Sequence, residues 1–342
     1  MNTHIISDFP SLVGKHCSST AIQEIMMYYK QPLSEAMIFG IGSGLFFSYF
    51  SFANNYPRLL ITRTPYFENN FFNAINHNFK WYSGEVLNVD KIISFLENDI
   101  PILVISETGY LDFYGTKGGR NVAGHTFTIL GFDIRKKTFL VSDFISSEYF
   151  SLSLIDLKKA INQAKVPYDR KNVWAPVYPF VIEDIREAML KGMWKNANDM
   201  LQNQNDNYGI LNIKKLSAEI PYWTELPEWE ECCLHTYMMI EKIGSGGSGF
   251  RKLYTEFLIE ASSYFKEIEQ YSCINKMQKI NKLYKLLGRK FFVTGRTKER
   301  KNLIEIQKCL EDIYLLEKEF WETISYIVNK TTSSKLILNS SN

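Results

Sequence analysis

The chain has 342 residues, 45% of them hydrophobic, which is ample for one large core or two modest ones and excludes a disordered or fibrous protein. Its 39 Lys and Arg against 37 Asp and Glu leave no overall field of the kind that holds nucleic acid. Five cysteines, odd in number and without CxxC spacing, exclude a secreted disulfide scaffold and a zinc ribbon, so a reducing cytoplasm and no resident metal are expected.

Residues 1–10 lack a basic segment followed by an apolar run, so no secretory signal is expected. The first informative stretch is Lys15-His16-Cys17-Ser18-Ser19-Thr20. Ala21, Ile22, Ile25, Met26 and Tyr29 then keep one apolar helical face, which puts Cys17 in or just before the first turn of a helix. Free N–H groups and the positive end of the helix dipole stabilise a thiolate there, the nucleophilic form of cysteine, and Lys15 and His16 add positive charge. Taken alone, a small buried residue at a helix start explains Cys17 equally well.

Residues 36–53 run eighteen long without a charge. Small residues at every second position favour a bent, buried wall over a membrane span, and no membrane partner is expected. Gly42 and Gly44 of this run, with Glu35 at its edge, are candidate substrate contacts, Glu35 for the amine that the resemblance described below implies; a purely structural acid is the alternative.

Strands are predicted over 59–62, 102–106, 126–132 and 138–142. The last two flank the polar turn Ile134-Arg135-Lys136-Lys137 and form a hairpin centred near Ile134, which sets His125 about opposite Asp143. A carboxylate beside an imidazole fixes its tautomer and favours its protonated form, as a general base for a thiol requires. Cys17, His125 and Asp143 are thus the candidate catalytic residues.

Beyond residue 165 the apolar spacing is helical, over 182–193, 228–243, 250–270, 274–287 and 301–326. The expected architecture is α+β: a domain with an antiparallel sheet over 1–165, an all-helical domain over 166–330 and a frayed tail over 331–342, with the Pro-bearing stretch 166–179 as connection. The glycine-rich run at 244–249 opens into the helix predicted from Phe250. Gly246, Gly247 and Arg251 there are candidates for binding a phosphate, which the resemblance described below would assign to a phosphopantetheine arm, against a close-packed helix connection. Ten basic residues against the single acid Glu299 over 276–301 read as a docking face for an acidic protein or as a solvated helix. Cys232, Cys233, Cys273, Cys309, His4, His77 and His235 show no chemical spacing and read as structural.

These features together resemble the butirosin-biosynthesis acyltransferase family, a papain-like N-terminal domain joined to a helical C-terminal one. The resemblance lies in His16-Cys17-Ser18-Ser19, in the stretch from Leu33-Ser34-Glu35-Ala36 to Gly40-Ile41-Gly42-Ser43-Gly44, in Gly124-His125 leading to Gly131-Phe132-Asp133, in Val141-Ser142-Asp143, and in Gly244-Ser245-Gly246-Gly247-Ser248-Gly249-Phe250-Arg251-Lys252-Leu253-Tyr254. It spans roughly residues 9–262. What it implies is acyl transfer from the thioester of an acyl or peptidyl carrier protein, through a Cys17 acyl-enzyme, to a small-molecule amine, forming an amide in antibiotic biosynthesis. No cofactor would be bound by the protein itself, since the phosphopantetheine arm belongs to the carrier. The Cys17 N–H would help hold the oxyanion. Papain-like proteases take a second donor from a Gln six residues before the cysteine; Ser11 stands there in this chain, so Ser11 or a backbone amide is expected instead. A cysteine peptidase or amidase using the same triad with water as acceptor is the alternative, and a binding protein with a relic triad is a third reading.

Overall fold

The computed structural model describes residues 2–51, 58–115, 123–162, 171–202, 208–243 and 246–339. Among them the strands are β1 (Thr3–Ile5), β2 (Leu45–Phe50), β3 (Leu59–Arg63), β4 (Ile102–Glu107), β5 (Ala123–Asp133), β6 (Thr138–Ser142), β7 (Phe150–Ser153) and β8 (Trp174–Pro176). The first three helices are α1 (Cys17–Tyr28), α2 (Glu35–Ile41) and α3 (Phe67–Ala74). The chain divides into two compact units, Met1–Ile38 with Pro65–Ile185, and Phe39–Thr64 with Arg186–Asn342.

The first unit is built on an antiparallel sheet of order β7-β6-β5-β4-β8. β1 pairs with the far end of β5, Thr3 to Ile5 against Asp133 to Gly131. Because β6 already occupies one edge of β5 at those residues, β1 lies on the other, the edge β4 uses nearer Ala123. Ile22, Ile25 and Met26 of α1 are fully buried, as are Ile102–Val104, Phe127 and Ile129 of the sheet, so the apolar face that the sequence spaces at three and four along α1 serves the core.

The second unit is helical except for one hairpin. Its helices span Ile185–Leu201, Leu211–Glu219, Trp229–Glu241, Arg251–Ser262, Cys273–Thr297 and Asn302–Asn339. β2 and β3 pair antiparallel, and the Asn196 side chain bonds both the N–H and the C=O of Leu45. The core here holds Trp223 and, with Tyr254, Tyr284 and Trp321 beside it, an ion pair in which Arg251 and Glu317 are both fully buried, 2.8 Å apart.

The α+β class and the antiparallel sheet agree with expectation, but three details do not. The boundary at 165 is wrong, because residues 171–185 return to the first unit and supply β8, while residues 39–64 belong to the second. For the same reason the second unit is not all-helical. Apolar spacing reports that a segment is buried, not which core buries it. Of the expected tail, residues 331–339 continue the last helix, where the hydroxyls of Thr331, Thr332 and Ser333 donate to the carbonyls four residues back, and residues 340–342 lie outside the described residues. The uncharged run of 36–53 is split between α2 and β2, and no helix among the described residues is long and apolar enough to cross a membrane.

Candidate active site

Cys17 is the first residue of α1. His16 caps that helix in extended conformation (φ −140°, ψ 126°), its Nδ1 accepting the Ser19 N–H at 3.3 Å, while Ser19 and Thr20 hydroxyls donate to the His16 carbonyl. An accepting ring nitrogen carries no proton, so His16 contributes an acceptor here rather than the positive charge its sequence position suggested. Cys17 therefore stands at the positive end of a helix whose first turn its own neighbours organise, where a negative charge is favoured.

His125 comes from β5 and Asp143 from the residue after β6. His125 Nε2 lies 2.6 Å from Asp143 Oδ2, with the two side chains 5% and 0% exposed. The Cys17 side chain is hydrogen-bonded to the same imidazole; with Nε2 taken by Asp143, Nδ1 is the nitrogen left for the sulfur. Burial by itself would lower the His125 pKa, but the Asp143 carboxylate, with smaller contributions from Cys17, outweighs it and raises the value to about 10. The imidazole is thus held charged at neutral pH beside a cysteine at a helix N-terminus.

The hairpin register differs from the expected one. Thr128 faces Ser142, so Phe127 rather than His125 falls level with Asp143. His125 lies two residues further along the same face, and the pair meets on the diagonal, a distance strand side chains span. The cause is the turn: Asp133 pairs with Thr138, which centres the hairpin between Arg135 and Lys136 rather than near Ile134, and a bulge between Ile129 and Gly131, where β1 joins the sheet, moves the pairing only one residue back.

Tyr114, which the sequence reading did not single out, completes the group. Its hydroxyl donates to Asp143 Oδ1 at 2.9 Å, and its ring stands edge-on to the imidazole, 5.4 Å between centroids. Burial and then the Asp143 carboxylate push the phenol pKa well up, so Tyr114 stays a donor. No pattern in its loop sequence pointed to it.

Family comparison adds an independent line. The family described as butirosin biosynthesis protein H, N-terminal, matches residues 16–144, starting one residue before Cys17 and ending one after Asp143. Residues 16–144 are similar to that family. A domain of unknown function (DUF4872) matches residues 155–324. No curated protein is similar enough to count as a relative.

Within the butirosin H region three glutamates are bound to the neighbours of the triad. Glu35 accepts from the backbone N–H of Lys15 and His16, at 2.9 and 2.8 Å, and from the hydroxyls of Ser19 and Thr20. Glu24 accepts from Leu12 N–H at 2.8 Å and from Ser142 Oγ at 2.7 Å. Glu68 accepts from Thr126 Oγ1 at 2.7 Å. Burial, opposed by those two hydrogen bonds and reinforced by Asp143, raises the Glu24 pKa from 4.5 to about 8. The signal for Glu24 and Glu68 was present in the sequence: Glu24 lies on the α1 face that carries Cys17 and Ala21, and Glu68 shares the stripe of Phe71 and Phe72 on α3.

The remaining candidates are placed differently from expectation. Ser11 Oγ is 2.9 Å from Ser142 Oγ and donates to the Ser146 carbonyl, which commits its hydroxyl to the chain flanking Asp143 and away from an oxyanion. Glu35 is taken up by the turn before Cys17 and is not a receptor for an amine. Gly42 and Gly44 lie in the second unit, outside the unit that carries the triad, and a Cβ on Gly44 would strike the Phe39 ring. Arg251 is fully buried on Glu317 and on the carbonyls of Phe46, Thr62 and Gly249, so it offers no guanidinium to a phosphate. The anion facing the Gly246-Gly247 turn is the chain's own Glu241, whose carboxylate accepts from Ser248 N–H at 3.1 Å. Residues 244 and 245 of that run lie outside the described residues. Among the described residues no three His, Cys, Asp or Glu side chains are placed to hold a metal ion.

Proposed function

We propose that this protein is a cytoplasmic, papain-like acyltransferase of antibiotic biosynthesis. It moves an acyl group from a carrier-protein thioester, through a Cys17 acyl-enzyme, to a small-molecule amine. The observation that carries this reading is the 2.6 Å contact of Asp143 with an imidazole that also bonds Cys17. The butirosin H match over the same three residues supports it and suggests the metabolic setting.

The steps follow from the charges. The Cys17 thiolate attacks the thioester carbonyl, and the oxyanion that forms is stabilised at the N-terminus of α1. Collapse breaks the carbon–sulfur bond to the carrier arm, and that sulfur leaves with the proton of His125. The imidazole, now neutral and still oriented by Asp143, takes a proton from the amine as the amine attacks the Cys17 thioester. Expulsion of Cys17 as thiolate releases the amide and restores the charged pair. No cofactor of the protein's own enters, because the phosphopantetheine arm comes with the carrier.

The test is intact-protein mass spectrometry after mixing with an acyl-loaded carrier. Wild type should gain the acyl mass on Cys17, Cys17→Ala none, and His125→Ala should lose at least about a hundredfold in acylation rate, the usual range for removing a general base. Equal labelling of wild type and Cys17→Ala would end the proposal.

A further inference from the structure

We propose that Ser18, Thr126 and Glu68 form a positioning relay that sets the approach of Cys17 to His125. It deepens the acyltransferase reading and rests on it. Ser18 Oγ donates to Thr126 Oγ1 at 3.1 Å, and Thr126 Oγ1 donates to Glu68 Oε1 at 2.7 Å. All three residues are buried, at 3%, 2% and 3% exposure. Ser18 directly follows Cys17, and Thr126 directly follows His125. Two hydrogen bonds thus join the backbone beside the nucleophile to the backbone beside the base. Side chains alternate along a strand, so Thr126 anchors β5 from the face opposite His125.

The relay also has a direction. Its terminal acceptor is a carboxylate oxygen, so Thr126 spends its proton on Glu68 and Ser18 spends its proton on Thr126. Ser18 Oγ stands 3.9 Å from Cys17 Sγ, yet its proton is turned away from the sulfur, which leaves proton exchange with the thiol to His125. An apolar trio would fill the same space without removing polar groups from water. What the polar chain adds is a fixed geometry, since a buried hydrogen-bonded group tolerates one partner arrangement and penalises the rest. Glu68 is itself held in the first turn of α3, whose Phe67 packs edge-on against the His16 ring, 5.0 Å between centroids. The turn that carries Cys17 is therefore gripped by α3 on both sides of the sulfur.

Alkylation of Cys17 by iodoacetamide across pH, followed at the Cys17 peptide, tests this without any acyl donor. In Ser18→Ala, which removes one hydroxyl and leaves the Thr126–Glu68 bond intact, and in Thr126→Val, the acidic limb should move up by about one pH unit, a drop of up to about tenfold in rate on the acidic side of the limb. Thr126→Ser should restore the wild-type limb to within about twofold. A shift that Thr126→Ser fails to rescue, or Ser18→Ala and Thr126→Val proteins that stay folded by circular dichroism and keep the wild-type limb, would overturn the relay. His125→Ala separates the two readings: an unchanged limb there sinks the Cys17–His125 pair and the acyltransferase reading, whereas a shifted limb there with unshifted Ser18→Ala and Thr126→Val sinks the relay alone.

Discussion

Cys17 differs from the other four cysteines in its surroundings, not in its burial. All five are free and buried. Burial pushes the Cys233 thiol up to about 12 and those of Cys273 and Cys309 to about 11, and it raises Cys232 as well. Cys17 alone among them bonds an imidazole whose own pKa is raised to about 10. At pH 7 one equivalent of iodoacetamide should therefore label the Cys17 peptide at least about tenfold faster than any other, since the thiolate is the reacting form. Even labelling across the five, measured by peptide mapping, would contradict the charged pair. The three catalytic candidates were legible because each is tied to a local pattern: a helix start for Cys17, a hairpin for His125 and Asp143. Tyr114 was not legible, because its hydroxyl reaches Asp143 from a short 3-10 turn with no periodic signal. Ser11, Glu35 and Arg251 were misread for one shared reason. A polar side chain near an expected site can be spent on the protein's own backbone, and spacing does not tell which atoms it will bond.

At the level of elements, α1 serves both as the dipole under the sulfur and as the carrier of a second acid. Glu24 lies below Cys17 on α1 and bonds the Ser142 hydroxyl next to Asp143. With its pKa raised from 4.5 to about 8, it is protonated at neutral pH, and an acid protonated at Oε2 still accepts both its hydrogen bonds at Oε1. A group that holds its proton more tightly when folded stabilises the fold while protonated. The Glu24 contribution is therefore complete below about 4.5 and is lost as pH rises through about 8. His125 acts in the same sense, with a contribution complete below 6.5 and lost as pH rises through about 10. Urea unfolding of wild type should show stability falling from pH 5 to pH 9. Glu24→Gln, which keeps an accepting oxygen, should remove the fall between pH 5 and 6.5, reduce it between 6.5 and 8, where His125 still titrates, and leave the part above 8. A Glu24→Gln slope equal to wild type would show that Glu24 does not titrate in this window. The strands β3, β4, β5 and β6 were legible from alternation and turn residues, but the register of β5 on β6 was not, because the polar run 134–137 does not fix its own centre to the residue, and Leu130 is bulged out of the pairing where β1 joins β5.

For the whole molecule, the sequence suggests a cut near residue 165, and the contacts argue against making one. A chain ending there would lack β8, the edge strand whose residues Trp174 to Pro176 pair with Val104 to Ile102 of β4. The β4 edge so exposed is fully buried and apolar in the intact chain, the kind of edge that recruits other strands. The same truncation would strand β2 and β3, because Asn196 bonds Leu45 and Glu219 accepts from the Tyr49 hydroxyl at 2.7 Å. A break between 185 and 186 would restore β8 but still leave residues 39–64 without their helices. Because the second unit is assembled from two separated stretches, no single cut yields either unit whole. Residues 1–165 expressed alone should elute as aggregate in size-exclusion chromatography, and residues 1–185 should show amide exchange protection in β4 and β5 but none in β2 and β3. A monomeric 1–165 fragment with protected β4 amides would mean that the sheet closes without β8, and the catalytic unit would then end where the helical spacing begins.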